Sequence, residues 1–170
     1  MRSISFFIFL LILVSVKAKD PILFDGVLSK GDWEDSQKYS IAYEIQPGNN
    51  MKAPLPTTVY IKYSDTHLYV DFGAKANMET PISALRNRDV AFVDDFVLFG
   101  IDTFGDGRSA IFVGSNADGS QVDTKLTPNE DDDSYDVNFE SIASKGIDGY
   151  QVELKIPISN YQFSNEDVLQ

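Results

Sequence analysis

The chain has no cysteine, one histidine and one tryptophan among its 170 residues. Without cysteine there is no disulfide framework, no thiol nucleophile and no cysteine-linked lipid anchor. Such a domain is held by its core, helped at most by a metal, which suits a bacterial periplasm or outer surface better than a small animal secreted module. The lone histidine, His67, sits in the polar turn Ser64-Asp65-Thr66-His67, and no Ser/His/Asp motif surrounds it. No glycine-rich loop of the phosphate-cradling kind is present. Positive charge is scarce: 14 Lys and Arg stand against 26 Asp and Glu, a formal charge of -12. Nucleic acid is excluded as a partner, because phosphate binding rests on Lys and Arg. Anionic membrane surfaces are disfavoured for the same reason. Neutral ligands, cations and basic partners remain. There is no internal repeat, no low-complexity linker and no convincing helical periodicity.

What is present begins with a targeting segment. Arg2 precedes an apolar run, Ile4 to Val16, and Val16-Lys17-Ala18 is a small-residue cleavage pattern. The run is short for a membrane span, which needs about 20 apolar residues. Residues 1–18 read as a signal peptide and 19–170 as one domain. Cleavage removes Arg2 and Lys17 and takes the formal charge from -12 to -14. Secretion across an inner membrane follows, to the periplasm, the outer membrane or the exterior.

The domain reads as short strands. Thr57–Tyr63 and Leu68–Ala74 alternate apolar and polar around the His67 turn, a hairpin with one buried face. Phe96–Ile101 and Ala110–Val113 are apolar on both faces, as in strands covered on two sides. Val137–Ile142 is a weaker strand. Gly149–Pro157 alternates cleanly, Val152, Leu154 and Ile156 inward and Gln151, Glu153 and Lys155 outward, and Pro157 ends it. Turn signals punctuate these runs at Pro47-Gly48-Asn49-Asn50, Asp106-Gly107, Asp118-Gly119 and Asp148-Gly149. Gln46–Pro56 reads as a long polar loop and Glu130–Asp133 as a solvated acidic run. The fold class is all-β: an antiparallel β-sandwich, jelly-roll-like, of immunoglobulin-like two-sheet architecture.

Carboxylates concentrate in one stretch. Residues 89–136 hold twelve acidic and two basic side chains. That excess is self-repulsive unless a cation or salt relieves it. Hard cations take six to eight oxygen ligands, and Asp94, Asp102 and Asp106 are the candidate ligands for calcium; the competing reading is that these aspartates cap turns. Arg88 and Arg108 flank the cluster. A polyol ligand needs donors beside acceptors, which Arg88, Asp89, Asp95 and Gln121 supply, and Tyr135 or Tyr150 could stack on a sugar face. Glycoside hydrolysis also uses two carboxylates, one with a raised pKa, but no hydrolase motif is present and the reading is non-catalytic.

The order of motifs is more specific than any one of them. Phe24-Asp25-Gly26-Val27-Leu28 with Asp32-Trp33 opens the series, followed by Thr57 to Tyr63 and His67-Leu68-Tyr69-Val70. Arg88-Asp89, Asp94-Asp95, Asp102-Thr103-Phe104 and Asp106-Gly107-Arg108 form the middle. Asn116-Ala117-Asp118-Gly119, Gln121, Asp123, then Gly149 to Glu153 and Ile156-Pro157 complete it. Over residues 22–163 this series resembles family 9-like carbohydrate-binding domains. It is most similar to the variant at the N-terminus of bacterial outer-membrane proteins, where a membrane β-barrel follows. The resemblance implies a β-sandwich and a glycan ligand, with a barrel or an enzyme domain as partner. It also implies a further strand after residue 163, so the chain reads as C-terminally truncated. Sugar-binding members clamp the ligand between two Trp rings. Here Trp33 is alone and is assigned to the core. A structural periplasmic domain without a sugar ligand is the alternative. Related sandwiches can hold haem through axial ligands, for which His67 with Met51 or Met78 is the conceivable pair.

Overall fold

A computed structural model describes residues 22–45, 50–79 and 83–162; the signal-peptide segment and the last eight residues lie outside the described part. Nine antiparallel strands make two sheets. The first has the order β1-β2-β3-β9-β8 and the second β4-β5-β6-β7. The strands are β1 Gln37–Glu44, β2 Met51–Tyr63, β3 His67–Lys75, β4 Phe96–Ile101, β5 Ala110–Asn116, β6 Gln121–Leu126, β7 Asp131–Asp132, β8 Glu140–Lys145 and β9 Gly149–Pro157. This is the two-sheet antiparallel sandwich expected from the spacing of strands and turns. Neighbours are mostly sequential hairpins; the exception is β9, which returns to pair with β3 along nine residues, from His67↔Pro157 to Lys75↔Gly149.

Alternation decides which side chains meet between the sheets. Val59 and Ile61 of β2, Val70 and Phe72 of β3, and Val152, Leu154 and Ile156 of β9 point inward with Val97 and Val113 from the second sheet. Each such burial contributes about 1.5–3 kcal/mol. The outer face of the second sheet is covered too. A 3-10 turn, Val90–Val93, packs on β5 and β6, and Ala91 and Val122 are fully buried. Of the two strands that looked apolar on both faces, β5 is central, paired with β4 and β6, whereas β4 is the edge strand of the second sheet. The Asp106-Gly107, Asp118-Gly119 and Asp148-Gly149 signals all place glycine at positive φ. At Gly149 a side chain is impossible, since a Cβ would stand 2.0 Å from the Ala74 carbonyl oxygen.

Three expectations change. Met51–Pro56, read as loop, is the first half of the 13-residue β2. β1 and β6 were not foreseen, because Lys38, Ser40, Asp123 and Lys125 interrupt their apolar pattern. The third change concerns the outer face of the first sheet, where Lys62, Asp71 and Glu153 are buried rather than solvated. A strap, residues 22–36, lies across it, carrying the one-turn helix α1, Lys30–Trp33. Glu153 Oε2 accepts the backbone amides of Asp25 and Gly26 at 3.0 and 2.8 Å. The Ser144 hydroxyl donates to the Gly26 carbonyl at 2.6 Å, and the Lys62 ammonium to the Asp32 carbonyl. Trp33 is buried against Tyr60, ring centroids 6.3 Å apart. Its assignment as a packing residue holds, although it packs beneath the strap rather than between the sheets.

Asp71 and Glu153 are cross-strand partners under this strap. Like charges directly opposite destabilise a sheet. Asp71 Oδ1 accepts from Gln151 at 2.7 Å, while Asp71 Oδ2 and Glu153 Oε1 have no partner. Burial pushes the Asp71 carboxyl up to about 7; the Gln151 bond opposes this and the Glu153 charge reinforces it. Burial also raises Glu153, against the Gly26 amide and the Trp33 indole. The strap closes this pair off from any substrate, so the raised carboxyl is no acid catalyst.

Both folded-state values lie above the unfolded ones. The stability contributed by the protonated pair is therefore fully present below about pH 4, declines as pH rises, and is gone once pH passes about 7. Urea unfolding should show a higher midpoint at pH 5 than at pH 8. Asp71→Asn, which removes the repulsion, should flatten that dependence and raise the midpoint at pH 8. A pH-independent wild-type midpoint would contradict the buried pair.

Candidate functional site

A cavity of about 320 Å³ opens at the end of the second sheet where β4 and β6 finish and β5 begins. Its floor is one cross-strand row: Ile101 of β4 faces Ile111 of β5, which faces Lys125 of β6. Phe104 and Tyr135 supply exposed or half-buried aromatic surface, and the largely buried Tyr161 closes the back. Thr103, Ser109 and Gln162 add hydroxyl and amide groups. Burial raises the Tyr161 hydroxyl pKa, with further contributions from Tyr135 and Asp123. Tyr161 thus stands between the cavity and a charged network behind it.

That network is centred on Arg88. Its guanidinium donates Nε and Nη2 to the two Asp123 oxygens at 2.7 and 2.8 Å, and Nη1 to Gln121 Oε1 at 2.7 Å. Nη2 also donates to the Val137 carbonyl, and Asp123 Oδ2 accepts the Val137 amide. The guanidinium lies over the Phe139 ring, 5.3 Å from its centroid, and Gln121 Nε2 donates to the Phe139 carbonyl. Asp136 adds a second, exposed ion pair at 3.3 Å. Segment 135–139, which carries Tyr135, is thereby tied to β6. Asp89 holds a left-handed backbone, φ 62°. Its amide donates to the Gln121 carbonyl, and its Oδ1 accepts the Asp123 amide at 3.0 Å. Burial raises the Asp89 carboxyl pKa despite that amide. The Asp123 hydrogen bonds raise Arg88 further above its ordinary range.

The five expected ligand residues do not converge on one ligand. Arg88, Asp89 and Gln121 come together, but their polar atoms are largely spent on internal bonds. Tyr135 lines the cavity. Asp95 lies at the start of β4, the far end of the sheet, exposed and near Tyr150, whose hydroxyl burial pushes up to about 12 with help from Asp95. The six residues of β4 separate the two ends by about 20 Å.

The expected calcium ligands fail for the same reason. Asp94 precedes β4 and Asp102 follows it, so they cannot share an ion. Asp94 is paired with Arg86 at 2.7 and 2.8 Å and with Asn116 Nδ2 at 2.9 Å; the Arg86 bond leads in pulling its pKa down to about 2. Asp102 accepts the amides of Phe104, Gly105 and Gly107, and Asp106 accepts that of Arg108. These are turn caps. Among the described residues, the carboxylates that do gather are Asp89, Asp123 and Asp136, one oxygen of each within 4.8 Å of the others. A hard cation would need six to eight oxygens, whereas the oxygens of Asp123 already serve Arg88 and the Val137 amide. Arg88 is the cation of this cluster. The haem pair also fails. Met51 begins β2 and His67 follows its end, about 40 Å along the strand, and Met78 lies beyond the other end of β3. The His67 ring nitrogen Nδ1 is hydrogen-bonded to the Thr66 hydroxyl at 2.8 Å.

Lys125, Phe104, Thr103, Ser109, Tyr161 and Gln162 were not foreseen as lining residues. The alternation Gln121, Asp123, Lys125 on one face of β6 is the signal that would have placed Lys125.

Removing Arg88 would strand the buried Asp123 charge. Arg88→Ala should therefore cost roughly 3 kcal/mol in urea unfolding. Arg88→Lys should recover only part, since an ammonium cannot reproduce the two-pronged bond. Equal stability of wild type and Arg88→Ala would show that the pair does not hold segment 135–139.

No protein-family model matches the sequence, and neither does any curated protein. Among solved structures, the chain is similar to a carbohydrate binding module of family 9 from Caldicellulosiruptor kristjanssonii, solved in complex with cellotriose. The identity is 19%, the match covers 85% of this chain and 67% of that one, and the TM-score is 0.49.

Proposed function

We propose that this protein is a non-catalytic carbohydrate-binding module of a secreted or outer-membrane glycan-processing protein, and that the cavity at the end of the second sheet holds the glycan. The observation that carries this reading is the make-up of the cavity wall. Sugars present apolar C–H faces and a rim of hydroxyls. Phe104 and Tyr135 offer ring surface to the first, and Thr103, Ser109 and Gln162 offer hydrogen-bonding groups to the second. The wall offers polar and apolar surface in nearly equal measure, the combination that a hydroxyl-rich ligand with apolar C–H faces requires. The motif series shared with family 9-like carbohydrate-binding domains supports the same reading. The apolar leader supports a place beyond the inner membrane, where a barrel or an enzyme domain would be the working partner.

In this reading the protein contributes position rather than chemistry. Arg88 and Asp123 act on Tyr135 through segment 135–139, holding its ring over the cavity before the ligand arrives. Preorganisation of this kind reduces the ordering cost of binding.

Calorimetric titration of the protein with neutral and acidic oligosaccharides, cellotriose among them, should give saturable heat for one sugar class. Tyr135→Ala should weaken that binding about tenfold through loss of ring contact, in a variant shown by its melting curve to be folded. Absence of binding by folded protein across the panel would return the domain to a purely structural role.

A further inference from the structure

The cavity contains a charge that a neutral sugar would not use. Lys125 is half-buried in its floor. Among the described residues it forms no ion pair; its contact is with the Tyr135 ring, Nζ 5.2 Å from the centroid. Three other lysines of this acidic chain are matched, Lys75 with Asp148, Lys145 with Asp118 and Lys155 with Glu140, while Lys38 lies over the Tyr60 ring as Lys125 does over Tyr135. The carboxylates nearest the cavity are turned to other work. Asp102 caps its own turn with three amides. Asp132, the cross-strand partner of Lys125, accepts the Ser134 amide at 3.0 Å and its hydroxyl at 2.6 Å. Among the described residues no carboxylate lines the cavity. In a chain of formal charge -12, this is a concave site whose ionised lining group, among the described residues, is a cation.

Resting on the carbohydrate reading above, we propose that the glycan unit held here carries a carboxylate, as a uronic acid does, and that Lys125 is the residue that selects it. The Tyr135 ring holds the ammonium at the floor and presents its own face to the sugar. Thr103 and Ser109 are the neutral donors available to the same anion. A half-buried cation facing a neutral sugar would have to exchange water for a hydroxyl, a weaker partner than a carboxylate. Specificity here is thus a difference between a paired and an unpaired charge.

The test is a matched titration of the protein with trigalacturonate and with cellotriose, repeated on Lys125→Met and Lys125→Arg. The expected result is at least about tenfold tighter binding of the acidic trisaccharide, a charged hydrogen bond being worth that factor or more. Lys125→Met should remove the preference, bringing the affinities for the two sugars together; Lys125→Arg should retain it. Melting curves confirm that each variant is folded. Equal binding of the two sugars by the wild type would overturn the selectivity and leave the carbohydrate reading intact. A preference that survives in Lys125→Met would overturn the role of Lys125. Failure of both sugars, alongside failure of the wider oligosaccharide panel, would overturn both readings.

Discussion

The pairing of β3 with β9 is the constraint on which the remaining structure depends. It joins segments about eighty residues apart and runs nine residues without a shift. Through it β9 and β8 become part of the first sheet, and the chain between β7 and β8 must cross from one sheet to the other. That crossing is segment 133–139, which brings Tyr135, Asp136 and Val137 against the edge of β6. The same register sets Asp71 opposite Glu153. A slip of one residue would turn Val152, Leu154 and Ile156 out of the core, so the hydrophobic demand fixes the register and the charge juxtaposition is its by-product.

The two buried charge clusters are resolved in different ways. On the second sheet Asp123 meets a guanidinium that satisfies both its oxygens, and the pair fastens a crossing segment. On the first sheet Asp71 and Glu153 meet each other, and relief comes from backbone amides of the strap, the Gln151 side chain and proton uptake. The first arrangement orders the wall of the cavity. The second links the seating of the strap to pH. Neither leaves its carboxylates open to a ligand, which is why the abundance of Asp does not translate into a metal site at the expected residues.

Much of the strand pattern was legible. Strands 96–101 and 149–157 were bounded as they occur, and the hairpin around His67 was placed correctly, because strict alternation and Gly or Pro punctuation are local signals. β1 and β6 were not legible. Their inward positions include Gln37, Gln121, Asp123 and Lys125, polar residues tolerated there because each finds a partner or a cavity that only the folded chain provides. Within the candidate site Tyr135 lines the cavity, and Arg88, Asp89 and Gln121, expected as ligand contacts, meet one another through internal bonds instead. Their role as an internal clamp was not legible, because it depends on Asp123 being buried beside them.

The sequence by itself determined the all-β class, most strand positions, the glycine turns and the net acidic character. These follow from local periodicity and composition. The tertiary structure alone decided which carboxylates meet, that the outer face of the first sheet is covered, and that a lysine with no ion pair among the described residues lines the cavity. Those outcomes depend on long-range register and crossover paths, which place residues side by side irrespective of their separation along the chain.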